Sequence, residues 1–133
     1  MSAWRDETRA DLREAESTIA SLLGEISGEP TREQVRSIWR AYVCVEKSIV
    51  FIRVEIDEET PGRFVSMKRY SVPDERQALQ FALRNLRKGL GAFELGDFLG
   101  SLSGLREARN YLRVILRSKR RAGAKAKGTP ASS

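Results

Sequence analysis

Five arginines, Arg106, Arg109, Arg113, Arg117 and Arg120, follow one another at spacings of three, four, four and three. At about 100° per residue, such spacing draws one row along a helix. Lys119, Arg121, Lys125 and Lys127 carry the charge onward. A guanidinium row continued by a cationic arm suits the regular charge of a phosphate backbone. Contacts of this kind supply affinity with little sequence preference, because one phosphate looks like another. The pattern predicts sequence-independent contact with DNA or RNA. Three alternative roles compete. Cations near a helix C-terminus offset its dipole by about 0.3–1 kcal/mol, basic tails aid solubility, and the same charges suit an acidic protein partner. Residues 113–133 hold seven basic side chains and no acidic one, which exceeds what a helix end needs.

A second row shares this helix. Gly96, Gly100, Gly104 and Ala108 recur at every fourth position, on the other flank of its apolar stripe. A glycine inside a helix costs roughly 1 kcal/mol relative to alanine, so some contact should offset it. Missing side chains let another backbone come close. The neighbour is either the preceding helix, which carries Gly89 and Gly91, or a second copy of the chain in a homodimer.

Further chemistry is sparse. The chain has no histidine, and so lacks the commonest general base and metal ligand. Cys44 is the only cysteine; without a histidine partner it reads as a small buried apolar residue. Glu55, Asp57, Glu58 and Glu59 form a carboxylate run without the spacing or glycine of a calcium loop. Neither GxxxxGK[ST] nor GxGxxG occurs, and the Glu-x-x-His pairs of diiron bundles are missing. A non-catalytic protein without cofactor or metal is expected. Trp39 sits beside Arg36 and Arg40, and Tyr70 follows Lys68 and Arg69, an arrangement that could stack single-stranded bases. Trp39 reads first as a core-edge residue with its indole N–H near water. Arg32, Arg36 and Arg40 read as a solvated basic row.

The elements that position these residues follow from composition and periodicity. The chain of 133 residues suits one domain, with 41% hydrophobic and 32% charged residues. Its net charge of +6 is uneven: residues 1–112 hold 17 basic and 18 acidic side chains. The run Ile49 to Ile52 is far short of the ~20 residues that span a bilayer, and the N-terminus lacks an apolar signal segment. A lone cysteine suits a reducing cytoplasm. Two Asn and three Gln beside many charges resemble the balance of heat-adapted proteins.

Trp4, Leu12, Ala15, Ile19, Leu22 and Ile26 mark a first helix from Ala3 to about Ile26. Ser27-Gly28-Glu29-Pro30 breaks it. Thr31 and Gln34 form a capping box. After it, Val35, Ile38, Tyr42, Val45, Ile49, Ile52 and Ile56 alternate steps of three and four, with Trp39, Val43 and Val50 widening the stripe. A rival reading makes residues 48–72 a β-hairpin, since Ser48 to Ile56 is rich in β-branched residues. Ser71, Pro73 and Asp74 start the third helix, whose inner face is Leu79, Leu83, Leu86, Leu90 and Phe93. Gly96-Asp97 is a turn, with Asp97 as the next cap. The fourth helix runs from Phe98 to about Arg120, with Leu102, Leu105, Ala108, Leu112 and Ile115 inward. Residues 122–133 read as a disordered basic tail behind a 1–121 domain.

The expected protein is therefore an all-α, four-helix up-down bundle. Its expected role is that of an accessory subunit. It docks on a larger protein of a nucleic-acid-processing complex and touches nucleic-acid backbone through Arg106 to Lys127. The alternative is a self-associating scaffold, meeting its copy through the helix-two stripe or the glycine row.

Overall fold

The computed structural model describes residues 3–56 and 74–128, with side chains through residue 118. Four helices account for nearly all of them: α1 (Ala3–Glu25), α2 (Arg32–Glu55), α3 (Glu75–Glu94) and α4 (Phe98–Gly128). Ser48 to Glu55 is helix, so the heptad pattern outweighs β-branching and the hairpin reading is corrected; residues 57–72 of that reading lie outside the described residues.

Local chemistry sets the ends. Gly28 adopts φ +74° after α1, a conformation that costs a residue with a side chain. At the start of α2, Thr31 Oγ1 accepts the Gln34 N–H at 3.2 Å and Gln34 Oε1 accepts the Thr31 N–H at 2.9 Å. The capping box is formed as expected. At α3 the cap is Asp74, whose carboxylate accepts the Gln77 N–H at 2.7 Å. Ser71 lies outside the described residues. The α3–α4 turn satisfies both helices at once. With Gly96 at φ +79°, the Asp97 N–H reaches Ala92 O at 2.8 Å and the Gly96 N–H reaches Phe93 O at 3.0 Å. This is the paired closure of a Schellman end. Asp97 then caps α4, accepting the Gly100 N–H at 3.0 Å.

The helices form a square in which α1 packs on α2 and α3, and α4 on α3 and α2. Every neighbouring pair is antiparallel. Arg13 of α1 meets Glu94 of α3 at 3.0 Å, while Arg76 at the start of α3 donates to Leu23 O and Ile26 O at the end of α1. Lys47 of α2 reaches back to Glu7 of α1, and Arg109 of α4 to Glu46 of α2. Directions thus alternate around the square, as in an up-down bundle, but run up, down, down, up along the chain. The C-terminal end of α2 and the N-terminal end of α3 lie at opposite ends of the bundle, so the link between them has to be long. Diagonal partners α1 and α4 meet at one end, where Trp4 packs on Phe98, with Phe93 completing the cluster.

The core holds Leu12, Ile19, Ile38, Ile52, Leu79, Leu86, Leu102, Leu105, Leu112 and Ile115, all fully buried. These positions come from the four predicted stripes. Trp39, Val43 and Val50 do not join them; all three are exposed. α4 runs to Gly128, past the end expected near Arg120.

The glycine row resolves into three separate roles. Gly96 makes the turn. Gly100 leaves room for the Asp97 carboxylate, which a Cβ there would strike. Gly104 alone serves close helix packing: a Cβ there would lie 2.7 Å from Gly89 N and 2.8 Å from Asn85 O. Those obstacles are backbone and cannot rotate away. Gly104→Ala should destabilise the protein by about 1–3 kcal/mol, the usual cost of overpacking. Gly91, with nothing within 4 Å of an added Cβ, should gain about 0.5–1 kcal/mol as alanine. Thermal melts of the two variants check this; equal shifts would contradict the assignment.

Candidate functional site

Placing Gly104 against α3 sets the rotation of α4. Arg113, nine residues on, lies about 900° further round, half a turn from the contact. The arginine row consequently runs along the flank that faces α2. Arg109 Nη1 lies 3.3 Å from Glu46 Oε1 of α2, and its Nε donates to Asn110 Oδ1 at 3.3 Å. Arg113 Nη2 donates to the Tyr42 hydroxyl of α2 at 3.4 Å. Arg106 is half-buried and Arg117 exposed. Lys119, Arg120, Arg121, Lys125 and Lys127 lie on the helical backbone beyond the described side chains. The row is therefore real as a line on α4, but two of its members already bridge to α2.

The length of α4 matters for the rest of the row. Gly89 opposite Gly104 and Phe81 against Tyr111 fix the hairpin register. The first residue of α3 then falls opposite about residue 118 of α4, so roughly ten residues, or about 15 Å of helix axis, run past α3. That stretch holds Lys119, Arg120, Arg121, Lys125 and Lys127.

Charge is divided between the two sides of the bundle. α1 has six acidic and three basic residues, whereas α4 has nine basic and one acidic. On the α1 side, cations meet carboxylates: Arg9 with Asp6, Arg13 with Glu94, Arg87 with Glu16, and Lys47 between Glu7 and Asp11, all at 3.0–3.4 Å. On the outward side of α2, Arg32, Arg36 and Arg40 are exposed and make no ion pair among the described residues. The same holds for Arg117 of α4. Trp39 stands among them, exposed, its ring edge-on to Tyr42 at 5.6 Å.

One cluster has no signature in the sequence. Cys44 sits half-buried at the α1–α2 seam, at the edge of the core, not within it. Its sulfur and one oxygen each of Asp11 and Glu14 lie within 4.8 Å of one another. Asp11 and Glu14 stand one helical step apart and 30 or more residues from Cys44, so no local spacing marks the group. The Asp11 carboxylate meets the Lys47 ammonium at 3.3 Å. The group is an ion cluster at a helix seam. Burial raises the Cys44 thiol above its ordinary range, and the charges of Asp11 and then Glu14 raise it further, against the pull of Lys47. Lys47 is raised in turn by the Asp11 and Glu7 carboxylates that it meets. Of the carboxylate run, Glu55 is exposed, and Asp57, Glu58 and Glu59 lie outside the described residues.

No helix among the described residues is long and apolar enough to cross a membrane. Comparison with protein-family models, curated proteins and solved structures finds no match for this chain.

The thiol makes a pH prediction. Since the folded state holds Cys44 protonated, ionisation on unfolding comes first as pH rises through the ordinary thiol range of about 8–9. Native Cys44 should react with iodoacetamide more slowly than the urea-unfolded chain at the same pH, with its rate midpoint displaced upward. Asp11→Asn should bring the midpoint back toward the ordinary value. Superimposable native and unfolded profiles would show that the seam exerts no such hold.

Proposed function

We propose that this protein is a non-catalytic helical accessory subunit. It docks on a larger protein of a nucleic-acid-processing assembly and holds DNA or RNA through phosphate contacts along the terminal part of α4. The observation that carries the reading is the division of charge. Arg9, Arg13, Arg87 and Lys47 on the α1 side meet carboxylates, while α4 concentrates nine basic residues on one helix and continues past the start of α3. A cationic helix projecting from a bundle can follow a phosphate strand without reading bases.

Labour is divided within the row. Arg109 and Arg113 brace α4 against α2, so substituting them disturbs the bundle as well as any ligand. Lys119 and the basic residues after it carry the contact. The two surfaces first suggested for the competing scaffold reading are used within the chain. The Val35–Ile56 stripe forms the core, and the glycine row is spent on α3, the turn and the Asp97 cap.

Fluorescence anisotropy with labelled duplex and single-stranded oligonucleotides, measured across salt, tests the reading. Five phosphate contacts predict a log–log slope of about −4.5 on duplex and about −3.5 on single strands. Changing Lys119, Arg120, Arg121, Lys125 and Lys127 together to Gln keeps helix propensity and should remove most of the slope, with the melting temperature unchanged. Absence of binding at low salt, or a slope untouched by the Gln variant, would falsify the assignment.

A further inference from the structure

The outward face of α2 carries a second apolar stripe that the bundle does not use. Trp39, Val43, Val50 and Val54 are 48%, 55%, 55% and 72% exposed. They fall within about 60° of one another around the helix and span about 22 Å along it. The buried stripe of Ile38, Val45, Ile49 and Ile52 lies on the opposite side. A helix with two apolar faces normally has both covered, and a half-exposed tryptophan in an apolar row suits the anchor of a protein interface.

Charge selects the occupant. Arg32, Arg36 and Arg40 edge the N-terminal half of the stripe, exposed and without ion pairs among the described residues. The Glu46–Arg109 and Tyr42–Arg113 contacts set a register that brings Arg117 level with about residue 38. Arg9, Arg13, Lys47 and Arg87 on the α1 side meet carboxylates; these four meet none among the described residues. We propose that the face formed by Trp39, Val43, Val50 and Val54 docks an amphipathic helix of another protein, acidic on the flanks that meet Arg36, Arg40 and Arg117. The inference rests on the accessory reading above and adds to it the surface and chemistry of the protein partner.

Other occupants fit less well. A parallel two-fold pairing of α2 with its copy sets Arg32 and Arg36 level with their own equivalents, and an antiparallel one that buries the whole stripe sets Arg40 level with about residue 53 of the copy, another arginine. A phosphate strand gains nothing from the valines. A stripe about 60° wide is narrower than the apolar face with which a helix settles into a lipid surface.

The test uses the full chain and a labelled amphipathic peptide of about 20 residues, with Leu spaced to match the stripe and Glu on both flanks. Its twin carries Lys in place of Glu. The Glu peptide should bind saturably and the Lys twin about tenfold or more weaker. Trp39→Ala and Val50→Asp should each weaken the Glu peptide by about tenfold, the scale of an interface anchor. The Arg36→Glu/Arg40→Glu double variant should reverse the preference between the peptides. These positions are exposed, and circular dichroism checks that each variant keeps its helices. Three results would overturn the proposal: no peptide binding, equal binding of the twins, or indifference to Val50→Asp. So would a dimer in sedimentation that Val50→Asp dissolves, which assigns the face to a second copy. Uptake by phosphatidylserine vesicles that depends on Trp39 would assign it to membrane. The two readings separate cleanly: the five-Gln variant of α4 should keep the peptide and lose the oligonucleotide, and Val50→Asp should do the reverse. Peptide binding without any oligonucleotide binding would leave the docking face standing and remove the phosphate role.

Discussion

The close approach of α3 and α4 at Gly89 and Gly104 governs the rest of the molecule. The two backbones meet with no side chain between them on the α4 side; a Cβ on Gly104 would lie within 2.9 Å of three backbone atoms. Backbone against backbone admits little sliding or rotation, so one contact sets both the register of the hairpin and the angle of α4 about its axis. The helix cost of a mid-helix glycine, roughly 1 kcal/mol, is offset by that packing. With the glycine flank on α3, the arginine flank faces α2, and Arg109 and Arg113 find Glu46 and Tyr42 there.

The order of helices around the square has a similar reach. Because α2 and α3 are diagonal and parallel, α1 can lie against both, and its acidic residues compensate cations from each: Lys47 of α2 and Arg87 of α3. Exposed single ion pairs are individually weak, typically under about 1 kcal/mol. Their distribution matters more than their strength here. It leaves the other side, formed by α2 and α4, with Arg32, Arg36, Arg40 and Arg117, which make no ion pair among the described residues. An exposed apolar row within that cationic side points to a partner that is apolar and acidic together, whereas the far end of α4 offers charge alone.

Much of the fold is legible in residue types and their spacing. Capping signals hold because they are local: Thr31 with Gln34, and Gly96 with Asp97, act through bonds within a few residues. Core stripes hold because a helix repeats every 3.6 residues whatever it packs against. The misreadings have a common cause. Hydrophobicity alone places Trp39, Val43 and Val50 on the core face, but the width of the apolar arc that is covered depends on how many neighbours there are and where they sit. The glycine row looks like one feature because its spacing is regular, yet its members answer to a turn, a cap and a helix crossing.

By itself the sequence determined the four amphipathic helices, the caps of α2 and α4, the concentration of basic residues toward the C-terminus and the lack of histidine chemistry, since each of these is written in residue type and short-range spacing. Only the tertiary structure decided which helices are neighbours, which arginines are spent on bracing α2, that Asp11, Glu14 and Cys44 share a seam, and that α2 keeps an uncovered apolar face. Those outcomes depend on contacts between residues tens of positions apart. Such contacts are set by the backbone approach at Gly104 and by the diagonal placement of α2 and α3, neither of which leaves a periodic trace in the chain.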